Sequence, residues 1–341
     1  MFDMKQAINK TARGENLTLD EAKDVMRQLL SGEATMAQIG SILTSLKMKG
    51  ETLDEIVGCA LVMREKAEDP KIKSDKYIDF VGTGGDGTNT FNISTTSVFA
   101  AAGAGVKIAK HGNRAISSKS GSVDVLEELG IDVMLEAEEV RKCFDKTGLG
   151  FMFAQIFHKS MKNVGQARRE MGMRSIFNIL GPLSNPSGAK YQLIGVFSKE
   201  LTRIFAEAMR MMGVKRALVV HGEDGMDEIT TTGETYIAEL KDGEIKEYTV
   251  SPELFGIKRA AKKNIAGGNS KENAEIAVKI LKGEKGARRD IVCLNAGAAI
   301  YIDGLAESIE EGIELARESI DSGRAFSKLK EVAEVTKSLG K

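Results

Sequence analysis

Tyr77-Ile78-Asp79-Phe80-Val81-Gly82-Thr83-Gly84-Gly85-Asp86-Gly87, followed closely by Asn92-Ile93-Ser94-Thr95, decides the fold. A short apolar run ends in clustered glycines, and hydroxyl and amide side chains then open a helix. Strand, glycine loop and helix N-terminus together offer backbone N–H groups to an anion, most often a phosphate. Outward from this stretch, short apolar runs at 106–109, 151–154, 193–197, 217–220 and 290–294 alternate with helical stretches. That alternation predicts an α/β domain with a mostly parallel sheet. Asp242-Gly243, between two strand-like runs in 234–250, predicts a hairpin. The segment 306–339 predicts helices that close the sheet.

The first seventy residues read differently. Thr18/Glu21, Thr35/Gln38 and Thr52/Glu55 each have the capping-box spacing, and each precedes apolar residues at helical intervals. Three short amphipathic helices cannot enclose a large core alone, so part of their apolar surface should meet another element or subunit. The Arg-rich, Gly-Pro-containing segment 158–185 interrupts the α/β rhythm and can return to the helices. The expected organisation is a helical domain over 1–72 joined by 158–186, and an α/β domain over 73–157 and 187–341.

Composition narrows the function classes. The 48 basic and 49 acidic side chains leave a net charge of −1, which argues against a broad nucleic-acid or membrane surface. No run of about 18 apolar residues is present and Met1-Phe2-Asp3-Met4-Lys5 has no signal-peptide core, so a soluble, cytoplasmic protein is expected. Three dispersed cysteines and three dispersed histidines support neither a disulfide framework nor a His/Cys metal site. The 36 glycines against 4 prolines point instead to tight turns and close backbone approach to ligands.

Four clusters carry chemistry. The 82–87 loop satisfies GxGxxG, a weak signal by itself; a dinucleotide site also needs an acidic residue about 20 positions on, and here the next strand ends in basic Lys110-His111. Lys110-His111-Gly112-Asn113-Arg114-Ala115-Ile116-Ser117-Ser118-Lys119-Ser120-Gly121-Ser122 forms a second anion-type loop. One such loop is most often a solvated charged turn, but two after successive strands suggest a ligand with several phosphates. Glu223-Asp224-Gly225-Met226-Asp227-Glu228 is acidic and follows a strand; beside a polyphosphate, its oxygen ligands suit Mg²⁺. Arg168-Arg169 with Arg174 can fork a carboxylate or phosphate, although exposed helix charges are as common. These residues describe a Mg²⁺-assisted enzyme acting on a phosphorylated small molecule.

The same strings resemble the anthranilate phosphoribosyltransferases through Gly82–Asp86, Asn92–Thr95, Lys110–Arg114, Ser117–Leu129, Phe177–Pro186, Asp227-Glu228, Gly267-Gly268-Asn269 and Asn295-Ala296-Gly297-Ala298-Ala299. The resemblance implies a small helical domain hinged to a large α/β domain with a mostly parallel central sheet, and a homodimer through the helical domain. It implies transfer of phosphoribosyl from 5-phosphoribosyl 1-pyrophosphate to anthranilate. Donor contacts would come from Gly82, Gly85, Asp86, Thr90, Asn92, Ile93, Ser94, Thr95, Lys110, His111, Gly112, Asn113, Arg114, Ala115, Ile116, Ser117, Ser118 and Ser122. Mg²⁺ would be held by Ser94, Asp227 and Glu228, and anthranilate by Gly82, Asn113 and Arg168, with His111 nearby. No separate catalytic acid or base is implied. Two other classes compete: a pyrimidine nucleoside phosphorylase, which has no need of the acidic pair, and a nucleic-acid-binding relative, which the charge balance disfavours.

Overall fold

The computed structural model describes residues 2–114 and 120–340. Four helices open the chain: α1 (Met4–Ala12), α2 (Leu19–Ser31), α3 (Met36–Lys49) and α4 (Leu53–Lys66). Thr18, Thr35 and Thr52 accept the N–H of Glu21, Gln38 and Glu55, whose side chains accept the threonine N–H in return. Caps of this kind contribute about 1 kcal/mol each. Helix α1 is additional to the three that the capping boxes announce. Its signal is Asp3, whose N–H donates to the side chain of Gln6 three residues later. Glu55 is fully buried; it accepts Lys49 Nζ at 2.8 Å and the N–H of Leu17 at 2.8 Å, pinning three segments together.

Seven strands follow: β1 (Ile78–Gly82), β2 (Ile108–Gly112), β3 (Leu149–Phe153), β4 (Tyr191–Gly195), β5 (Arg216–Gly222), β6 (Thr235–Lys241) and β7 (Glu244–Val250). Between β1 and β5 run α5 (Ile93–Gly103), α6 (Ser122–Glu128), α7 (Ala137–Thr147), α8 (Ala154–Phe157), α9 (Lys162–Met171), α10 (Phe177–Leu180) and α11 (Glu200–Met211). After β7 come α12 (Ser270–Leu281), α13 (Ala287–Asp303), α14 (Ile309–Asp321) and α15 (Arg324–Leu339). The strand order is β3-β2-β1-β4-β5-β6-β7, with the first five parallel and the last two antiparallel. Asp242 and Gly243, at φ 53° and 81°, make the expected hairpin between β6 and β7.

One strand expectation is overturned: 290–294 lies inside helix α13. That helix packs against α5, α14 and the sheet, so nearly every side of it is apolar. A short window of an all-round apolar helix looks like a buried strand. Helix α9, by contrast, packs on α2 and α3, and Asn163 Nδ2 donates to the Leu30 carbonyl at 2.7 Å. Val164, Ala167, Phe177 and Leu183 share one apolar cluster with α1–α4 and one face of the sheet.

Topology fixes where a ligand can sit. From β1 the chain winds outward to β2 and β3, then returns to β4 on the other side and continues to β5. Adjacent connections therefore part between β1 and β4, leaving a crevice at their carboxyl ends, where ligands of open parallel sheets bind. The register partners at that point are Gly82 and Gly195.

Candidate active site at the carboxyl ends of β1, β2, β4 and β5

Two glycines make the crevice possible. A Cβ on Gly82 would collide with the Asp227 carboxylate, and one on Gly195 with the Asp227 main-chain carbonyl. Asp227 thus lies directly across the β1–β4 switch point. In Gly195→Ala the obstruction is backbone, which cannot swing aside, so the Asp227 segment must move. We expect at least about a 10²-fold loss of kcat/KM from that displacement, with a lowered melting temperature, measured by steady-state kinetics and calorimetry.

The loop after β1 wraps the carboxylate. Gly84, Gly85 and Gly87 have φ of 65–70°, and the Gly84 N–H donates to Asp227 Oδ2 at 2.7 Å. Asp86 faces the same group, and burial together with that neighbour pushes the Asp227 carboxyl up to about 7. Glu228 accepts the Ser94 N–H at 3.0 Å at the start of α5; burial and the Asp227 charge push it up to about 8. Two adjacent acids are therefore kept in an environment that disfavours their ionisation.

The donor set fits Mg²⁺ in a specific way. Among the described residues no group of three or more His, Cys, Asp or Glu side chains comes together to hold a metal. The chain offers two carboxylates and the Ser94 hydroxyl, all hard oxygen donors. Mg²⁺ normally takes one or two carboxylates and completes its shell with water and substrate phosphate.

Asn92 braces the second loop. Its Nδ2 donates to the Ser120 carbonyl at 3.3 Å, and its Oδ1 accepts Asn273 Nδ2 at 2.9 Å. Asn273 Oδ1 in turn accepts the Gly268 N–H at 2.8 Å. Thr90 pairs with Ala266 in an isolated antiparallel bridge, so the 266–268 loop lies along the glycine loop. Ile93 and Thr95 are buried beneath this surface, inside the core of α5. Asn273, Gly267 and Gly268 are thus site-building residues beyond those proposed as ligand contacts. Their sequence signal is the Gly-Gly-Asn string that opens α12.

Lys110, at the end of β2, is buried; its Nζ donates to the Phe80 carbonyl and lies in the field of Asp79, Glu228 and Asp227. Ser122 Oγ donates to the Asn113 carbonyl at 3.2 Å, over Gly112, where a Cβ would meet that hydroxyl. Arg114 is held by Asp124 and Glu127 of α6 at 2.6–2.9 Å. Ala115, Ile116, Ser117 and Ser118 lie outside the described residues.

The segment that packs on the helical domain carries two further arginines, one of which reaches the glycine loop. Arg168 stacks over Phe177 at 4.9 Å, and burial alone pulls its pKa down. Arg174 stacks on Phe197 at 4.5 Å and donates to the Gly85 carbonyl at 2.6 Å, tying this segment to the glycine loop.

Behind the strand ends sit two buried histidines, His111 and His158, with rings 5.0 Å apart. Burial, and the proximity of His158, push His111 well below its ordinary value; burial pushes His158 down to about 4. Both are neutral at pH 7. A depressed histidine contributes stability above the unfolded value near 6.5, and that contribution is lost as pH falls through the folded value. Between about pH 7 and pH 5, His158 alone should lose about 2 kcal/mol. The stability gap between wild type and His158→Gln should shrink by that amount in urea unfolding at the two pH values. An unchanged gap would mean that the ring titrates in the folded state as it does in the unfolded chain.

Comparison with known proteins agrees with this geometry. Residues 5–67 match the glycosyl transferase family helical bundle domain and residues 74–326 its a/b domain. Anthranilate phosphoribosyltransferase of Acetivibrio thermocellus is 52% identical over 335 residues, covering 98% of this chain and 97% of that protein. The crystal structure of the Thermus thermophilus anthranilate phosphoribosyltransferase superposes with a TM-score of 0.92 at 43% identity, over 97% of this chain and 99% of that one. The Saccharomyces cerevisiae anthranilate phosphoribosyltransferase in complex with PRPP and Mg superposes with a TM-score of 0.90 at 28% identity, over 98% of both chains. With a helical bundle, a parallel sheet parted at β1 and β4, and near full-length identity of about one half, the chain belongs to the anthranilate phosphoribosyltransferase family.

Proposed function

We propose that the chain transfers the phosphoribosyl group of 5-phosphoribosyl 1-pyrophosphate to the amine of anthranilate, releasing pyrophosphate, as a step of tryptophan biosynthesis. The observation that carries the reading is the meeting of two anion loops with the buried Asp227–Glu228 pair at one switch point. In this reading Gly82, Gly85, Asp86, Thr90, Asn92, Ser94, Lys110, Gly112, Asn113 and Ser122 shape the donor pocket. Ala115, Ile116, Ser117 and Ser118 complete its loop by resemblance alone.

The chemistry follows from charge. The C–O bond to pyrophosphate breaks, the electron pair leaves with the pyrophosphate, and the amine nitrogen forms the new bond to the anomeric carbon. Its proton passes to solvent, and because an aromatic amine is largely neutral at pH 7, no strong base is needed. The glycine-loop N–H groups and the N-terminus of α5 stabilise the departing negative charge. Ser94, Asp227 and Glu228 hold Mg²⁺, which when bound neutralises pyrophosphate as a leaving group. Arg168 orients anthranilate by its carboxylate and so aims the amine at the sugar.

Assembly and setting belong to the same proposal. Helix α3 exposes Met36 and Met48, the latter 82% accessible. A homodimer through the helical domain, as the family resemblance implies, would cover exposed apolar side chains there, and sedimentation should then give twice the 36.8 kDa chain mass. A highly charged donor that does not cross membranes supports a cytoplasmic setting. No described helix is long and apolar enough to span a membrane.

The discriminating experiment offers the protein either both proposed substrates or a pyrimidine nucleoside with phosphate. Pyrophosphate release in the first mixture and no nucleoside cleavage in the second supports the transferase. The reverse pattern would make it a phosphorylase.

A further inference from the structure

Asn295 lies in the middle of α13, fully buried and far from any proposed ligand contact in sequence. Its side chain is nonetheless committed to the acidic loop. Asn295 Oδ1 accepts the Ile229 N–H at 3.0 Å, and Nδ2 donates to the Ile229 carbonyl at 2.8 Å and to the Ile291 carbonyl at 2.9 Å. Ile229 directly follows Glu228. The amide therefore grips both polar groups of the residue that carries the Asp227–Glu228 pair out of the crevice.

The opposite side of the loop is gripped as well. Asp224 Oδ1 accepts the Met226 N–H at 3.2 Å, while Oδ2 accepts the hydroxyls of Thr230, at 2.8 Å, and Thr232. This knot is local to the loop: it fixes the loop's shape but not its place in the molecule. Asn295 supplies the place, because α13 is rigidly seated. A Cβ on Gly297 would strike the Ile313 main chain, and one on Gly312 the Gly297 carbonyl, so α13 and α14 touch backbone to backbone.

The same helix also registers the other half of the site. Ser97 Oγ donates to the Val292 carbonyl at 3.2 Å, tying α5 to α13 one turn before Asn295. Ser94 lies in the first turn of α5, and its N–H donates to Glu228. Ser94 and the acidic pair arrive from different parts of the chain, and α13 is the frame that both are referred to.

We propose that Asn295 is a positioning residue that fixes the Asp227–Glu228 pair against Ser94, so that the three oxygen donors are arranged before a metal–pyrophosphate ligand arrives. The inference rests on the proposed role of those three residues. Removing the amide leaves the Ile229 N–H and carbonyl without a buried partner, and the loop then relaxes to regain one. Outer partners of metal ligands typically change metal affinity 10–100-fold when they are lost.

The test reads metal binding without turnover. Free Mn²⁺ is followed by electron paramagnetic resonance, with 5-phosphoribosyl 1-pyrophosphate present and anthranilate omitted. Asn295→Ala and the isosteric Asn295→Asp should each weaken Mn²⁺ binding about tenfold or more. Ile300→Val, a buried change elsewhere on α13, should not weaken it despite a comparable loss of stability. In the wild type, the Ile229 amide should exchange hydrogen as slowly as the core amides of α13. Wild-type Mn²⁺ affinity in both Asn295 variants, or an Ile229 amide exchanging like an open loop, overturns the proposal. Asp227→Asn separates the two levels: wild-type binding there would overturn the metal reading itself. Loss in Asp227→Asn with none in the Asn295 variants would overturn only the positioning role.

Discussion

Asp227→Asn should lower kcat/KM about 10³-fold and yet make the ligand-free protein more stable. The two effects have one origin. Burial and the neighbouring Asp86 raise the Asp227 carboxyl from 3.8 to about 7, and burial with the Asp227 charge raises Glu228 from 4.5 to about 8. A raised carboxyl contributes stability that is full below its unfolded value and disappears as pH rises through its folded value. From about pH 5 to pH 8.5, the ligand-free wild type should therefore lose stability that the variant keeps. Asparagine is isosteric and still accepts the Gly84 N–H, so the loop need not move. Calorimetry across this range should show the variant melting progressively higher than the wild type. Equal melting temperatures at every pH would contradict the raised carboxyls of this buried pair. A site strained by like charges is a familiar exchange of stability for function.

Arg168→Ala should lower kcat/KM for anthranilate about 10²-fold while leaving the KM for the donor within about twofold. The guanidinium is already stacked on Phe177 and largely desolvated, and burial is the only influence on its pKa. A charge prepared in this way binds a carboxylate with little further ordering. Arg168→Lys should recover little, since a lysine cannot form the planar fork or the stack. Anthranilate kinetics unchanged in the alanine variant would remove Arg168 from the acceptor site.

The sequence made the parallel sheet legible because short apolar runs alternate with helical stretches, and the loops after β1, β2 and β5 each have their own composition. The capping boxes marked three helix starts because threonine and a glutamate or glutamine at that spacing satisfy each other locally. Longer-range features were hidden. The 290–294 run looked like a strand because α13 is enclosed on nearly all sides and has no polar face to show a helical period. Gly195 carries no local signal; its meaning lies in the Asp227 carbonyl that occupies the space of a side chain. That α6 brings Asp124 and Glu127 to Arg114 could not be read from the sequence around it, because the contacts depend on how the loop returns to that helix. Asn295 stood inside a string that suggested family membership, and only the fold connects it to Ile229.

The most direct measurement of the central claim follows anthranilate fluorescence in a mixture of purified protein and 5-phosphoribosyl 1-pyrophosphate, with and without Mg²⁺, in wild type and Asp227→Asn. The chain has no tryptophan, so protein background is low. The account predicts loss of signal with matching pyrophosphate release only for the wild type with Mg²⁺. No loss from folded wild type, or equal rates without the metal or without the Asp227 carboxylate, would contradict it.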